Sequence, residues 1–257
     1  MSDTIQCNGN KIFVEYHLKD ASKPTMIFLH DSLGSTQLWR DFPQKLSEMT
    51  GFNWMSYDRL GYGKSNPMPS FERPVNYMEE EADFLIELLS ELKIEKPVLF
   101  GHSDGGSIAL WVAAKYPGNF AALIVEAAHI FVEEITLEGI RTAKEAYATT
   151  NLKERLEKYH GNKTESIFKA WTETWLRDDF RYWSIENILH QIDCPVLFIQ
   201  GKKDEYGTLD QMHQTLEKIN AFTDHLVIPD VGHTPHKQNP EPVLKKAAEF
   251  LKKIYQN

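Results

Sequence analysis

Val98-Leu99-Phe100-Gly101-His102-Ser103-Asp104-Gly105-Gly106-Ser107-Ile108-Ala109-Leu110 decides the fold. An apolar run stops at Gly101, a polar pair brackets Ser103, two glycines follow, and a helical apolar pattern then opens. The order is strand, sharp turn, helix, with a serine at the apex, and Gly101-His102-Ser103-Asp104-Gly105 fits G-x-S-x-G. A serine forced into a strained turn exposes its hydroxyl. The strand and helix then pass so closely that side chains two residues either side would collide, which explains the glycines. Such a turn also leaves the Asp104 N–H at a helix N-terminus, where it can stabilise a developing oxyanion. Read alone, the five residues also fit a serine that merely caps a helix. The rest of the chain separates the two readings.

Working outward, apolar runs without polar alternation recur. Thr25–His30, Phe52–Tyr57, Phe120–Ala127 and Pro195–Gln200 read as strands buried on both faces, and His225–Ile228 as a short one. Between them lie helical patterns at Leu38–Met49, Tyr77–Leu92, Thr208–Ile219 and Glu241–Ile254. The N-terminal Thr4–Cys7 and Lys11–Tyr16 flank Asn8-Gly9-Asn10, a hairpin signal. Strands alternating with helices predict an α/β domain: a mostly parallel, twisted sheet with helices on both faces. One segment, about 129–190, is helical throughout and carries half of the tryptophans. It reads as an inserted helical cap over the carboxyl edge of the sheet, within a single domain spanning 1–257. Most of its aromatics are expected to form the cap's own core; His129, Trp171 and Trp175 are the candidates to reach a substrate.

Composition narrows the function. The 257 residues carry a net charge of −9 and no basic run, which argues against nucleic acid and anionic membranes as partners. Cys7 and Cys194 lie far apart and suggest no disulfide framework. There is no hydrophobic leader at Met1–Asn10 and no apolar stretch of membrane-spanning length, so a cytoplasmic location is expected. Gly63-Lys64-Ser65 imitates the end of a phosphate-binding loop, but Asp58 stands where that motif needs its first glycine. Asp58 and Arg59 are instead expected to tie down backbone. No histidine, cysteine and acid spacing matches a metal site, and no cofactor is expected.

Ser103 needs a base. In the chain order serine, acid, histidine, the acid follows a late strand and the histidine the next one. Asp204, after Pro195–Gln200, and His233, after His225–Ile228, fit that order on the edge that carries Ser103. His233 would take the serine proton, and Asp204 would hold its tautomer. His236 is the rival base; Glu126 and Glu205 are the rival acids. The second oxyanion donor, besides the Asp104 N–H, is assigned to the Ser32 N–H in the loop after Thr25–His30, with Leu33 as the alternative.

The His30 loop, Asp58-Arg59-x-Gly61-x-Gly63-x-Ser65, the Ser103 elbow, Gly201-x-x-Asp204 and Gly232-His233 together resemble the α/β-hydrolase superfamily across nearly the whole chain. Ser103-Asp104-Gly105-Gly106, Ala127–Val132 and Glu138-Gly139-Ile140 resemble its valacyclovir-hydrolase-like (biphenyl hydrolase-like) branch. That resemblance implies a cofactor-free serine esterase acting on small to medium carboxylic esters, with α-amino acid esters among them. It also implies that Asp104 meets the substrate's amino group, a charge-assisted contact worth about 1.5–3 kcal/mol; the plainer role for Asp104 is to favour the N-terminus of its helix. Many members of the family carry His-Gly where this chain has His30-Asp31. An ionised Asp31 beside an oxyanion opposes catalysis unless it is paired or turned away. The expected partner is a small-molecule ester, and the expected state a monomer or small homo-oligomer. The alternatives are a C–C bond or lactone hydrolase using the same triad, and a non-catalytic ligand-binding protein on this scaffold.

Overall fold

The computed structural model describes residues 1–256. Eight strands form one sheet: β1 (Ser2–Cys7), β2 (Asn10–His17), β3 (Thr25–Leu29), β4 (Asn53–Tyr57), β5 (Val98–His102), β6 (Ala122–Glu126), β7 (Val196–Gly201) and β8 (Thr223–Ile228), in the order β1-β2-β4-β3-β5-β6-β7-β8. The hairpin β1–β2 joins β4 in antiparallel fashion, and every pairing beyond β4 is parallel. This is the mostly parallel sheet that the unalternating runs predict. Every residue of β4, β5, β6 and β7 is buried.

Side chains on a strand alternate faces, so each strand feeds two cores. Ile27, Leu29 and Leu99 pack on one face beneath helices α2 (Tyr77–Glu91) and α3 (Asp104–Lys115). Phe28 and Phe100 point the other way, against Phe42 and Leu46 of α1 (Phe42–Thr50) and Val243, Phe250 and Leu251 of α9 (Pro240–Tyr255). Helices thus cover both faces. Five more lie among the described residues: α4 (Glu134–Thr149), α5 (Leu152–His160) and α6 (Thr164–Trp175) between β6 and β7, α7 (Leu209–Lys218) before β8, and the short α8 (Pro235–Gln238) preceding α9.

One boundary differs from the sequence reading. The helix expected from Leu38 begins at Phe42, behind a 3₁₀ turn at Thr36–Trp39 and a break at Arg40 (φ 52°). Pro43 is the cause. Its ring lacks an N–H and collides with the carbonyl four residues back, so it is accepted only in a helix's first turn.

Helices α4–α6 form the segment expected as a cap. At its base Phe131 and Ser184 make an isolated antiparallel bridge. Trp175, Phe180 and Trp183 pack ring on ring, with centroids 5.1–5.8 Å apart. Much of the aromatic content of this segment is therefore its own core. The Gly-rich loop works as expected: the Asp58 carboxylate accepts the Thr36 and Lys64 N–H groups at 2.7 Å each, and the Arg59 guanidinium donates to the Asp31 carbonyl at 2.9 Å. No helix among the described residues is long and apolar enough to cross a membrane.

Candidate active site

The elbow follows from close packing. A Cβ on Gly101 would lie 2.2 Å from the Gly105 carbonyl oxygen, and one on Gly105 would lie 2.1 Å from that of Leu29. Ser103 itself takes φ 54°, ψ −119°, a conformation that L-residues rarely adopt. Its N–H is held by the Glu126 carbonyl at 2.9 Å. Strain at this one residue is thus fixed from both sides by β6 and by the start of α3.

Ser103 Oγ lies 2.9 Å from His233 Nε2. His233 Nδ1 lies 2.9 Å from each Asp204 oxygen. Asp204 also accepts the Tyr206 N–H at 2.8 Å and the Gln200 amide at 2.7 Å, which fixes the carboxylate in place. Burial works against charge on Asp204, but His233 and the backbone donor outweigh it and hold the carboxyl below its usual range. Burial likewise opposes charge on His233, yet Asp204, then Glu205 and Asp31, raise it above an ordinary histidine. The structure brings Ser103, His233 and Asp204 together. The rivals are engaged elsewhere: His236 gives its backbone N–H and its Nδ1–H to Glu126, both at 2.6 Å, and Glu205 accepts the backbone N–H of His233 at 3.1 Å.

Ser32, Ser103 and Asp104 line one cavity of about 150 Å³. The Leu33 N–H is given to Asp31 Oδ1 at 2.8 Å, which removes the alternative to Ser32 in that loop. Asp104 opens α3, so its N–H is among the helix's orphan donors. Asp31 does not stand free beside them. Its carboxylate meets His102 Nδ1 at 3.2 Å, with Lys237 Nζ at 4.0 Å. Burial opposes its charge, but the His102 hydrogen bond, Lys237 and His30 hold it well below the usual carboxylate range.

His129, Trp171 and Trp175 all line the cavity. His129 Nε2 donates to the Tyr206 carbonyl at 3.0 Å, so Nδ1 keeps a lone pair. Burial and the neighbouring His233 lower its proton affinity. The Asp104 carboxylate is 2% exposed; Oδ1 accepts the Tyr77 hydroxyl at 3.2 Å, and Oδ2 is 3.5 Å from the buried Arg59 guanidinium without a hydrogen-bond partner among the described residues. Trp175 Nε1 in turn donates to the Tyr77 hydroxyl at 3.1 Å. Sequence reasoning missed Thr136 and Tyr206 as lining residues. Thr136 and Ile140 share one face of α4 at helical spacing, and Tyr206 lies two residues past Asp204. His102, Glu126 and His236 cluster within 4.8 Å, as metal ligands can. Here, however, Glu126 and His236 are spent on each other, and both His102 nitrogens face other oxygens.

Residues 24–181 match the family model described as the alpha/beta hydrolase fold. The chain belongs to that family. It is 27% identical to human serine hydrolase BPHL over 254 residues, covering 94% of this chain and 84% of that protein. Among solved structures, the enol-lactonase from Burkholderia xenovorans superposes with a TM-score of 0.79 at 16% identity, covering 97% of this chain and all of the other (100%). A thermophilic esterase from Thermogutta terrifontis does so with 0.73 at 22%, covering 99% of each chain. At those identities the structural matches show the fold. This α/β hydrolase therefore has hydrolases among its relatives.

Proposed function

We propose that this α/β hydrolase is a serine esterase that cleaves small carboxylic esters through an acyl-enzyme. The observation that carries the reading is the relay Ser103 Oγ–His233 Nε2 and His233 Nδ1–Asp204, each link 2.9 Å, at the floor of a cavity. His233 takes the hydroxyl proton as Ser103 Oγ bonds to the ester carbonyl carbon. The Ser32 and Asp104 N–H groups receive the negative charge on the carbonyl oxygen. As the tetrahedral species collapses, the imidazolium returns the proton to the departing alkoxide, and the alcohol leaves. A water then gives its proton to His233 and attacks the acyl carbon, and Ser103 departs with that proton as the acid is released.

We extend the reading to α-amino acid esters. The support is Asp104, which lines the cavity and whose buried Oδ2 has no hydrogen-bond donor of its own among the described residues. An ammonium beside the scissile carbonyl would supply one. Arg59, at 3.5 Å, competes for the same charge.

The test is kcat/KM for two esters identical except for an α-amino group, with Ser103→Ala as blank, alongside fluorophosphonate labelling. The amino ester is expected to win by about tenfold, equivalent to about 1.4 kcal/mol, with Asp104→Ala erasing the gap. Equal turnover retires the ammonium role of Asp104 and leaves the esterase intact. Labelling of Ser103 without ester turnover redirects the search to lactone and C–C substrates. An unlabelled Ser103 with intact ligand binding indicates a binding protein.

A further inference from the structure

His102 immediately precedes Ser103, is 1% exposed, and has no part in the mechanism above. Its ring bridges two loops that the reaction needs. Nε2 lies 2.7 Å from the backbone carbonyl oxygen of His233. Nδ1 lies 3.2 Å from Asp31 Oδ2, on the loop that offers the Ser32 N–H. A carbonyl oxygen only accepts, so Nε2 carries a hydrogen. An ionised carboxylate also only accepts, so Nδ1 carries one as well. A singly protonated ring would leave one of these short contacts as lone pair against lone pair. The rings of His236 and His233, centred 4.9 and 5.2 Å away, hold the imidazole in that orientation.

We propose that His102 is a positioning residue that braces the oxyanion loop against the His233 loop and compensates the charge of Asp31. The inference rests on the ester-hydrolase reading. Asp31 borders the same cavity as Ser103. Uncompensated, its carboxylate opposes the negative charge that develops on the substrate oxygen, and in a site of low dielectric that opposition is large. Lys237, at 4.0 Å and partly exposed, is the other nearby cation and is the more screened of the two.

A double-mutant cycle tests it. His102→Gln keeps a donor for one of the two loops but no charge. It is expected to lower kcat by about a hundredfold, the scale of a lost oxyanion contact, with KM moved less than about threefold. Asp31→Asn is expected to lower kcat by about tenfold or less on the same scale. The double variant should recover about tenfold over His102→Gln, because the carboxylate to be compensated is gone. If KM moves in place of kcat, or the two losses multiply, His102 acts by packing alone and the proposal fails. Should His102→Gln not fold, ¹⁵N spectra of the wild-type histidine rings decide: both His102 nitrogens protonated supports the proposal, and one bare nitrogen overturns it. A wild type that hydrolyses esters but gives a multiplicative cycle sinks this inference alone. A wild type that neither labels nor turns over any ester sinks the esterase reading, and the spectra then judge His102 by themselves.

Discussion

The Leu33 carbonyl, in the loop after β3, accepts a hydrogen bond at 3.0 Å from His160 Nε2, the last residue of α5. The other ring nitrogen, Nδ1, accepts the Gly63 N–H at 3.0 Å. One neutral imidazole thus fastens the helical insertion to both the oxyanion loop and the Gly-rich loop. His160→Ala leaves a buried donor and an acceptor unpaired and is expected to cost about 1–3 kcal/mol. His160→Gln, which offers one donor and one acceptor, should recover part of that. Urea unfolding of the three proteins measures it, and equal stability of the alanine and glutamine variants would remove the hydrogen bonds from the explanation.

The same fastening predicts acid lability. Burial lowers the proton affinity of His160, and also that of His30, His129 and His236. Such groups bind protons more readily in the unfolded chain, where histidine titrates near about 6.5. Their contribution to stability is present above that value and is lost as pH falls toward the lower folded values. His233 is raised and acts in the opposite sense, which offsets part of the loss. The melting temperature is expected to fall between pH 7.5 and 5, and to fall less steeply in His160→Gln. A flat profile in the wild type would contradict the burial argument.

The elbow was legible because its glycines answer to a steric demand visible in five residues. The strands β3 and β5–β7 were legible because burial on both faces leaves an unalternating apolar run. The order of Ser103, Asp204 and His233 followed from strands that could be counted. Contacts between distant segments left no such trace. Asp31 and His102 are 71 positions apart and meet only because β3 and β5 are parallel neighbours. Tyr77 and Arg59 meet Asp104 from different parts of the chain, and Trp175 joins them by donating to the Tyr77 hydroxyl. The start of α1 was hidden because the apolar pattern runs on through Pro43, whose ring would strike the carbonyl four residues back in a longer helix.

The glycine argument has a direct check. Gly105→Ala sets a Cβ 2.1 Å from the Leu29 backbone oxygen, which cannot yield without parting β3 from α3. Destabilisation of at least about 3 kcal/mol is expected, the upper end for overpacking. Gly9→Ala is the comparison. Gly9 has φ 74° but open space around it, so only a backbone penalty of about 1–2 kcal/mol should appear. Chemical denaturation measures both, and equal losses would show that steric approach is not what selects glycine at the elbow.

Activity should carry the mark of the charges around His233. The ring must be neutral to accept the Ser103 proton, so kcat/KM rises with pH through its titration. Because Asp204, Glu205 and Asp31 together outweigh burial, that rise is expected above the ordinary histidine value of about 6.5. Glu205→Gln removes one of these charges yet keeps an oxygen to accept the His233 N–H, and the acid limb should move to lower pH. Asp204→Asn should lower kcat by about 10⁴. A pH profile of kcat/KM from 5 to 9 reads both, and an unmoved limb in Glu205→Gln would exclude its carboxylate from the balance.

The cavity bounds the acyl group. About 150 Å³ is available beside Ser103, between Ile140 of α4 and Trp171 and Trp175 of α6. A space of that size holds about six carbon atoms, the volume of a benzene ring. In a series of p-nitrophenyl esters from acetyl to octanoyl, kcat/KM is therefore expected to peak at or below the hexanoyl ester. Ile140→Ala opens room for about two further methylenes, each worth about 0.8 kcal/mol when buried, and should shift the optimum toward octanoyl by about tenfold. The substitution also costs about 2–5 kcal/mol of stability. Ile140→Val, at about 0.5–1.5 kcal/mol, gives a smaller shift in the same direction from a sounder protein. Equal use of butyryl and octanoyl esters by the wild type would mean that the acyl chain leaves this cavity by another path.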